Sequence, residues 1–197
     1  MIGRLKTSLC VDGREYAIKP DFRNILTIIE AYNDEGLKPQ EKAYICLTRL
    51  YEVVPDNIEA AYKAAIDFID NGEREEDKQP ARLIDWAKDE SIMFPAINKA
   101  AGFETRAAEF IHWHTFLGYF MEVDDGVWRT VLTIRQKKAK HKKLEKWEEE
   151  FFKANKSICT VGHKPTWENG KKGLAEMFEK LAKESNTWQE AQTAALL

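Results

Sequence analysis

The sequence predicts a mainly α protein, a multi-helix bundle with a short β-hairpin at its N-terminus. Three observations predict it. From residue 21 to residue 135 apolar side chains recur three and four apart in successive stretches, the first three opened by a capping residue or a proline. Ahead of them, two short β-like runs flank the pair Asp12-Gly13. Charged residues make up 32% of the 197-residue chain and apolar residues 44%, the balance of a soluble, helix-rich protein able to build a core.

The hairpin covers residues 7–18. Asp12-Gly13 joins the runs TSLCV and REYAI as a two-residue loop that accepts positive φ. Such a loop sets Val11 opposite Arg14, Leu9 opposite Tyr16 and Thr7 opposite Ile18, so these side chains share one face. A lone hairpin is marginal in water, so this one is expected to lie on a helix. A first helix opens at Pro20-Asp21, with Asp21 as its cap, and runs through Phe22, Ile25, Leu26, Ile28, Ile29 and Tyr32 to a stop at residues 33–36. A second opens at Pro39 and carries Ala43, Leu47, Leu50, Tyr51 and Val54. The third follows Pro55-Asp56, with Ile58, Ala61, Tyr62, Ala65, Ile66 and Ile69 as its stripe and Asn71-Gly72 as its end. Residues 72–80 contain no apolar side chain and read as an exposed linker. A fourth helix spans about Leu83 to Ala101 and ends at Gly102; Pro95 inside it removes one backbone donor and predicts a kink near Met93.

Residues 106–156 are the stretch on which the rest is expected to pack. Phe110, Ile111, Trp113, Phe116, Leu117, Tyr119, Phe120 and Met121 fall on more than one helical stripe, which predicts a helix buried on several sides. Asp124-Asp125-Gly126 reverses the chain, and Val127, Trp128, Val131, Leu132 and Ile134 return a second helix onto the first. The domain reading is a helical domain over residues 1–156 and a C-terminal extension over residues 157–197. The extension is turn-rich at first, then forms a short amphipathic helix over residues 171–184.

Little in the chain points to covalent chemistry. Cys10, Cys46 and Cys159 lie far apart, as in a reducing compartment, and Cys46 reads as a core residue. His112 and His114 stand two apart; on a helix they point away from each other and cannot share a metal. They read instead as one core-facing and one partly exposed histidine. Asp124 and Asp125 read as solvated acids that cap the next helix, without the partners general acid–base work needs. No phosphate-binding loop, dinucleotide fingerprint, nucleophile elbow, zinc-protease or calcium-loop pattern occurs. The expectation is a protein that is not an enzyme and holds no cofactor or metal. No apolar run reaches the roughly 18 residues of a membrane span, and no apolar leader opens the chain, so the expected place is the cytoplasm.

The sharpest charge feature is the run from Arg135 to Lys146. Lys137, Lys138, Lys142 and Lys143 in it are candidate phosphate ligands, as in a small nucleic-acid-binding accessory protein. Against that stand the acids after the run, the lack of interleaved aromatics and a formal net charge of −3; together they favour a solvated helix face and no nucleic-acid partner.

The order of elements resembles the bacteriophage "gene product fifteen" family of siphophages and prophages. The matching segments are Val11-Asp12-Gly13-Arg14-Glu15-Tyr16 with Asp21-Phe22-Arg23, then Asp85-Trp86-Ala87-Lys88-Asp89 leading to Ala100-Ala101-Gly102-Phe103. Ile111-His112-Trp113-His114-x-Phe116-Leu117 comes next, and then Val131-Leu132-x-Ile134-Arg135. The resemblance covers residues 8–156. It implies a gene in the tail region and a tail morphogenesis role, that of an assembly chaperone in the host cytoplasm. The implied partner is a tail protein, tape measure or tail tube; self-association is a further expectation. The family brings no catalytic residues. The expected contact surface is Leu174, Met177, Phe178 and Leu181 of the C-terminal helix, with Trp113, Phe116 and Trp128 of the central pair contributing wherever they stay exposed.

Overall fold

The computed structural model describes residues 3–71 and 82–161. Two compact units divide them, one within each range. The linker read at residues 72–80 and the helix read at residues 171–184 lie outside the described residues.

In the first unit, β1 (Ser8–Val11) and β2 (Arg14–Ala17) pair antiparallel in the expected register, with Leu9 opposite Tyr16 and Val11 opposite Arg14. Asp12 at φ 50° and Gly13 at φ 78° supply the two left-handed positions that a tight hairpin loop needs. The ribbon is supported on both sides. β1 packs on α3 (Ile58–Ile69), and the Asn57 side chain capping α3 donates to Asp12 in the turn at 2.7 Å. Beyond β2, Ile18 forms an antiparallel bridge with Tyr51, the residue after α2 (Pro39–Leu50). Lys19 N–H donates to Leu50 O and Glu52 N–H to Ala17 O on either side of that bridge.

That bridge also corrects the end of α2. Tyr51 and Val54 are not helical; Tyr51 leaves the helix, is buried, and donates its hydroxyl to Ala61 O at 2.8 Å. α1 (Phe22–Asn33) opens as expected, with Asp21 accepting from Arg23 N–H at 2.9 Å. It packs on α2, and α2 on α3, around Ile25, Ile28, Ala43, Cys46, Leu47, Leu50, Ala61 and Ala65. Cys46 is the core residue the sequence predicts. Burial pushes its thiol up to about 12, which keeps it protonated and unreactive.

The second unit is centred on α4 (Trp86–Ala101), not on the pair of helices after it. A 3-10 turn (Thr105–Ala107), α5 (Trp113–Met121) and α6 (Val127–Ala139) each pack on α4. Helix α4 starts three residues later than Leu83 because Asp85 caps it, accepting from Lys88 N–H at 3.1 Å. Gly102, at φ 79°, ends it as expected. Trp86 meets Trp113, Phe116 and Phe120 ring to ring, which builds an aromatic cluster between α4 and α5.

The buried helix read from Arg106 onward is shorter than expected. His112 takes an extended conformation, its Nδ1 accepts from His114 N–H at 3.2 Å, and α5 begins only at Trp113. Phe110 and Ile111 therefore precede the helix. Of its own residues Trp113 and Phe116 are buried, whereas Met121 at the far end is 71% exposed. The basic run is not one helix face either: α6 ends at Ala139, and α7 (Lys146–Ala154) begins after a six-residue connection. Past α7 the chain stays attached. Cys159 is buried, and Lys88 donates to Thr160 O at 3.3 Å. No helix among the described residues is long and apolar enough to cross a membrane.

Candidate functional site

Helix α6 organises the candidate site, and Arg135 fixes α6. Arg135 and Asp89 are each 1% exposed. Nη1 donates to Asp89 Oδ2 at 2.6 Å and to Leu83 O at 2.8 Å; Nη2 donates to Asp89 Oδ1 at 2.8 Å and to Ile158 O. The planar fork thus joins the start of α4, the end of α6 and the segment after α7, which the single ammonium of a lysine could not do. The sequence did signal it. Arg135 continues the stripe of Trp128 and Val131 at helical spacing, and a cation on an apolar stripe calls for a buried carboxylate.

Beyond Arg135 the helix end is held firmly. Lys137 Nζ donates to both oxygens of Glu148, at 2.6 and 2.7 Å, and the buried Glu148 also accepts from Glu145 N–H at the start of α7. Burial works to raise the Glu148 carboxyl, but Lys137 and the Glu145 amide outweigh it and hold the group below its ordinary range. The Glu148 hydrogen bond in turn raises the Lys137 ammonium. Lys138 lies 3.6 Å from the centre of the Phe152 ring. The chain then closes in a Schellman motif, with His141 at φ 52° where glycine is usual. His141 N–H donates to Lys138 O and Lys142 N–H to Lys137 O.

This closure leaves Lys140, His141, Lys142 and Lys143 together in solvent, none of them in an ion pair among the described residues. Trp147 comes next, 51% exposed, its indole N–H donating to Glu145. The opposite end of α6 has the other sign. Glu122, Asp124 and Asp125 are exposed and without ion pairs among the described residues, beside Met121 and the 51% exposed Val127. Met121, Val123, Asp124, Asp125 and Arg129 line a shallow cleft there. With 13 residues, α6 separates the two ends by roughly 20 Å. The arrangement can recognise a surface through charge and exposed apolar side chains.

Other residues singled out in the sequence fare differently. Trp113, Phe116 and Trp128 are buried and fill the core, so the exposure on which their part in partner contact depended is not met. Of the candidate phosphate ligands, Lys137 is engaged by Glu148 and Lys138 lies over the Phe152 ring, while Lys142 and Lys143 remain exposed. Leu174, Met177, Phe178 and Leu181 lie outside the described residues. Asp124 and Asp125 are solvated, yet the capping position of α6 is Gly126 and no side chain caps it. His112 is buried and His114 half-buried, as expected; their rings do not point apart but sit 5.3 Å from each other, because His112 precedes the helix. Among the described residues no three potential metal ligands come together. Sequence reasoning missed two residues that the site turns on, Asp89 and Glu148. The signal for Glu148 was present in the capping pattern Glu145-x-x-Glu148.

Comparison with known proteins adds the family. No curated protein and no solved structure matches the chain. The model of the family described as bacteriophage Gp15 protein matches residues 1–160, ending one residue past the buried Cys159 and taking in both described units. The chain belongs to the bacteriophage Gp15 protein family.

Proposed function

We propose that this phage protein serves tail morphogenesis as an assembly chaperone in the host cytoplasm, binding the tape measure protein or another tail component. The observation that carries the reading is the family match over residues 1–160. A tape measure chain is long and forms coiled coils, so before assembly its helices expose apolar stripes that need cover. An amphipathic helix or groove laid along such a stripe supplies it. Leu174, Met177, Phe178 and Leu181 have the spacing for that contact and lie beyond the matched residues.

The rival reading, a nucleic-acid-binding accessory protein, draws on the run from Arg135 to Lys146. Three of its cations are engaged within the second unit: Arg135 by Asp89, Lys137 by Glu148 and Lys138 by Phe152. What remains is lysine-rich and short, which supports loose phosphate contact more than base recognition. The test is co-expression with the tape measure protein and the tail tube protein of the same phage, followed by affinity capture. The full chain is expected to retain the tape measure protein, and a chain stopped after Val161 to retain much less. Capture of neither tail protein by the full chain overturns the chaperone reading.

A further inference from the structure

We propose that the two ends of α6 are the two halves of a contact between copies of this chain, pairing α6 antiparallel with α6 of a second copy across a two-fold axis. In that arrangement Lys140, Lys142 and Lys143 of one copy face Asp124 and Asp125 of the other, and the reverse contact forms at the far end. The inference does not depend on the chaperone reading, since it concerns the chain alone.

Three observations carry it. The first is charge complementarity on one helix: among the described residues Asp124 and Asp125 before it and Lys140, Lys142 and Lys143 after it are exposed and outside ion pairs, with the exposed Arg129 one turn inside the acidic end and the exposed Glu149 and Glu150 beyond the basic one. Acids before a helix and cations after it also suit the helix dipole. That effect fades within the terminal turns, however, and Lys142 and Lys143 lie beyond the Schellman reversal. The second is that each charged end carries exposed apolar side chains, Met121 and Val127 at the acidic end and Trp147 at the basic end. Exposed apolar side chains beside charges supply both parts of a contact, the apolar anchors giving affinity and the charges fixing register. The third is rigidity. The Schellman closure and the Lys137–Glu148 clamp hold the basic connection in one conformation, so little ordering entropy is lost when it is bound. Both ends can be satisfied at once by a closed two-fold pair, the commonest symmetry of soluble oligomers.

The experiment is light scattering on the purified full chain, whose monomer is 22.8 kDa. At low salt the mass is expected to be twice the monomer and to fall toward the monomer as salt rises, because screening weakens exposed charge pairs. Two charge-reversed chains refine the test: Asp124→Lys with Asp125→Lys, and Lys142→Glu with Lys143→Glu. Each alone is expected to be monomeric, with an unchanged far-ultraviolet circular dichroism spectrum. Mixed in equal amounts they are expected to recover the doubled mass, since each reversed end then meets its opposite. A chain that is monomeric at low salt at every concentration overturns the proposal. So does a dimer that both reversals leave intact, or a mixture of folded variants that stays monomeric. Should either variant fail to fold, the salt series on the unaltered chain decides: a dimer indifferent to salt overturns the contact.

Discussion

Arg135 holds three segments together with one side chain, so its loss is felt in all three. Truncating it leaves Asp89 charged and enclosed, with Leu83 O and Ile158 O also losing their donor. Arg135→Ala is expected to destabilise by about 3–5 kcal/mol, the usual penalty for breaking a buried pair from one side. Replacing both partners, Asp89→Leu with Arg135→Met, is expected to recover most of that loss, because no orphan charge remains. Urea unfolding of the two variants measures it, and equal loss in the single and double variants would contradict the argument. The Glu148 carboxyl makes a pH prediction. Its folded form is held below the ordinary range, so its contribution is present above the unfolded carboxyl value of about 4.3 and is lost as pH falls through the lower folded value. The difference in urea midpoint between the unaltered chain and Glu148→Gln is therefore expected to be widest near neutrality and to shrink in acid. A difference that grows in acid would mean that the carboxylate is not what Lys137 stabilises. At this scale the sequence was only partly legible. Arg135 could be counted as the first cation of a basic run because its partner Asp89 is 46 residues away, and nothing local marks that pairing.

Elements were legible where their ends are local and obscure where tertiary contacts set them. The hairpin is the clear case, since Asp12-Gly13 fixes both the loop and the register without reference to the rest of the chain. Gly13→Val is expected to destabilise by more than about 1 kcal/mol, because a β-branched side chain resists φ 78°. The space around Gly13 is open, so the penalty is one of backbone strain and not of collision. Gly13→Asn, which tolerates the left-handed region, is expected to unfold at a urea concentration close to that of the unaltered chain. Similar large losses for Val and Asn would place the requirement elsewhere. The caps at Asp21 and Gly102 were equally readable. The start of α5 was not. Apolar periodicity runs straight through Phe110 and Ile111, and only the extended backbone at His112 with its ring nitrogen on His114 N–H starts the helix late. Tyr51 is the same lesson at the end of α2: periodicity would continue the helix, and a bridge to Ile18 takes the residue away from it.

At the scale of the molecule, the segments that carry the family resemblance turn out to be the ones that build the two units. Val11 to Tyr16 make the hairpin, Asp85 to Asp89 cap α4 and supply one half of the buried pair, and Val131 to Arg135 supply the other. Those segments hold turns and caps of the fold that periodicity and the Asp12-Gly13 loop predict. Trp113, Phe116 and Trp128 are needed inside, so the exposure on which their part in a contact surface depended is not met. The same logic decides where the chain can be cut. Composition changes after Lys156, yet Ile158 O accepts from Arg135, Cys159 is buried, and Thr160 O accepts from Lys88. A chain stopped after Lys156 loses all three. Its guanidinium keeps a hydrogen-bond donor with no acceptor, which costs about 1–3 kcal/mol by itself, and the site of the Cys159 side chain is opened to water. A chain stopped after Val161 keeps every one of these contacts. In urea unfolding followed by circular dichroism, the shorter truncated chain is expected to unfold at a lower concentration than the longer one. This order matters for any binding experiment, since loss of a partner by the shorter chain also reports damage to the second unit, whereas the longer one keeps the contacts of Ile158, Cys159 and Thr160. Equal midpoints for the two truncations would show that residues 157–161 do not secure Arg135.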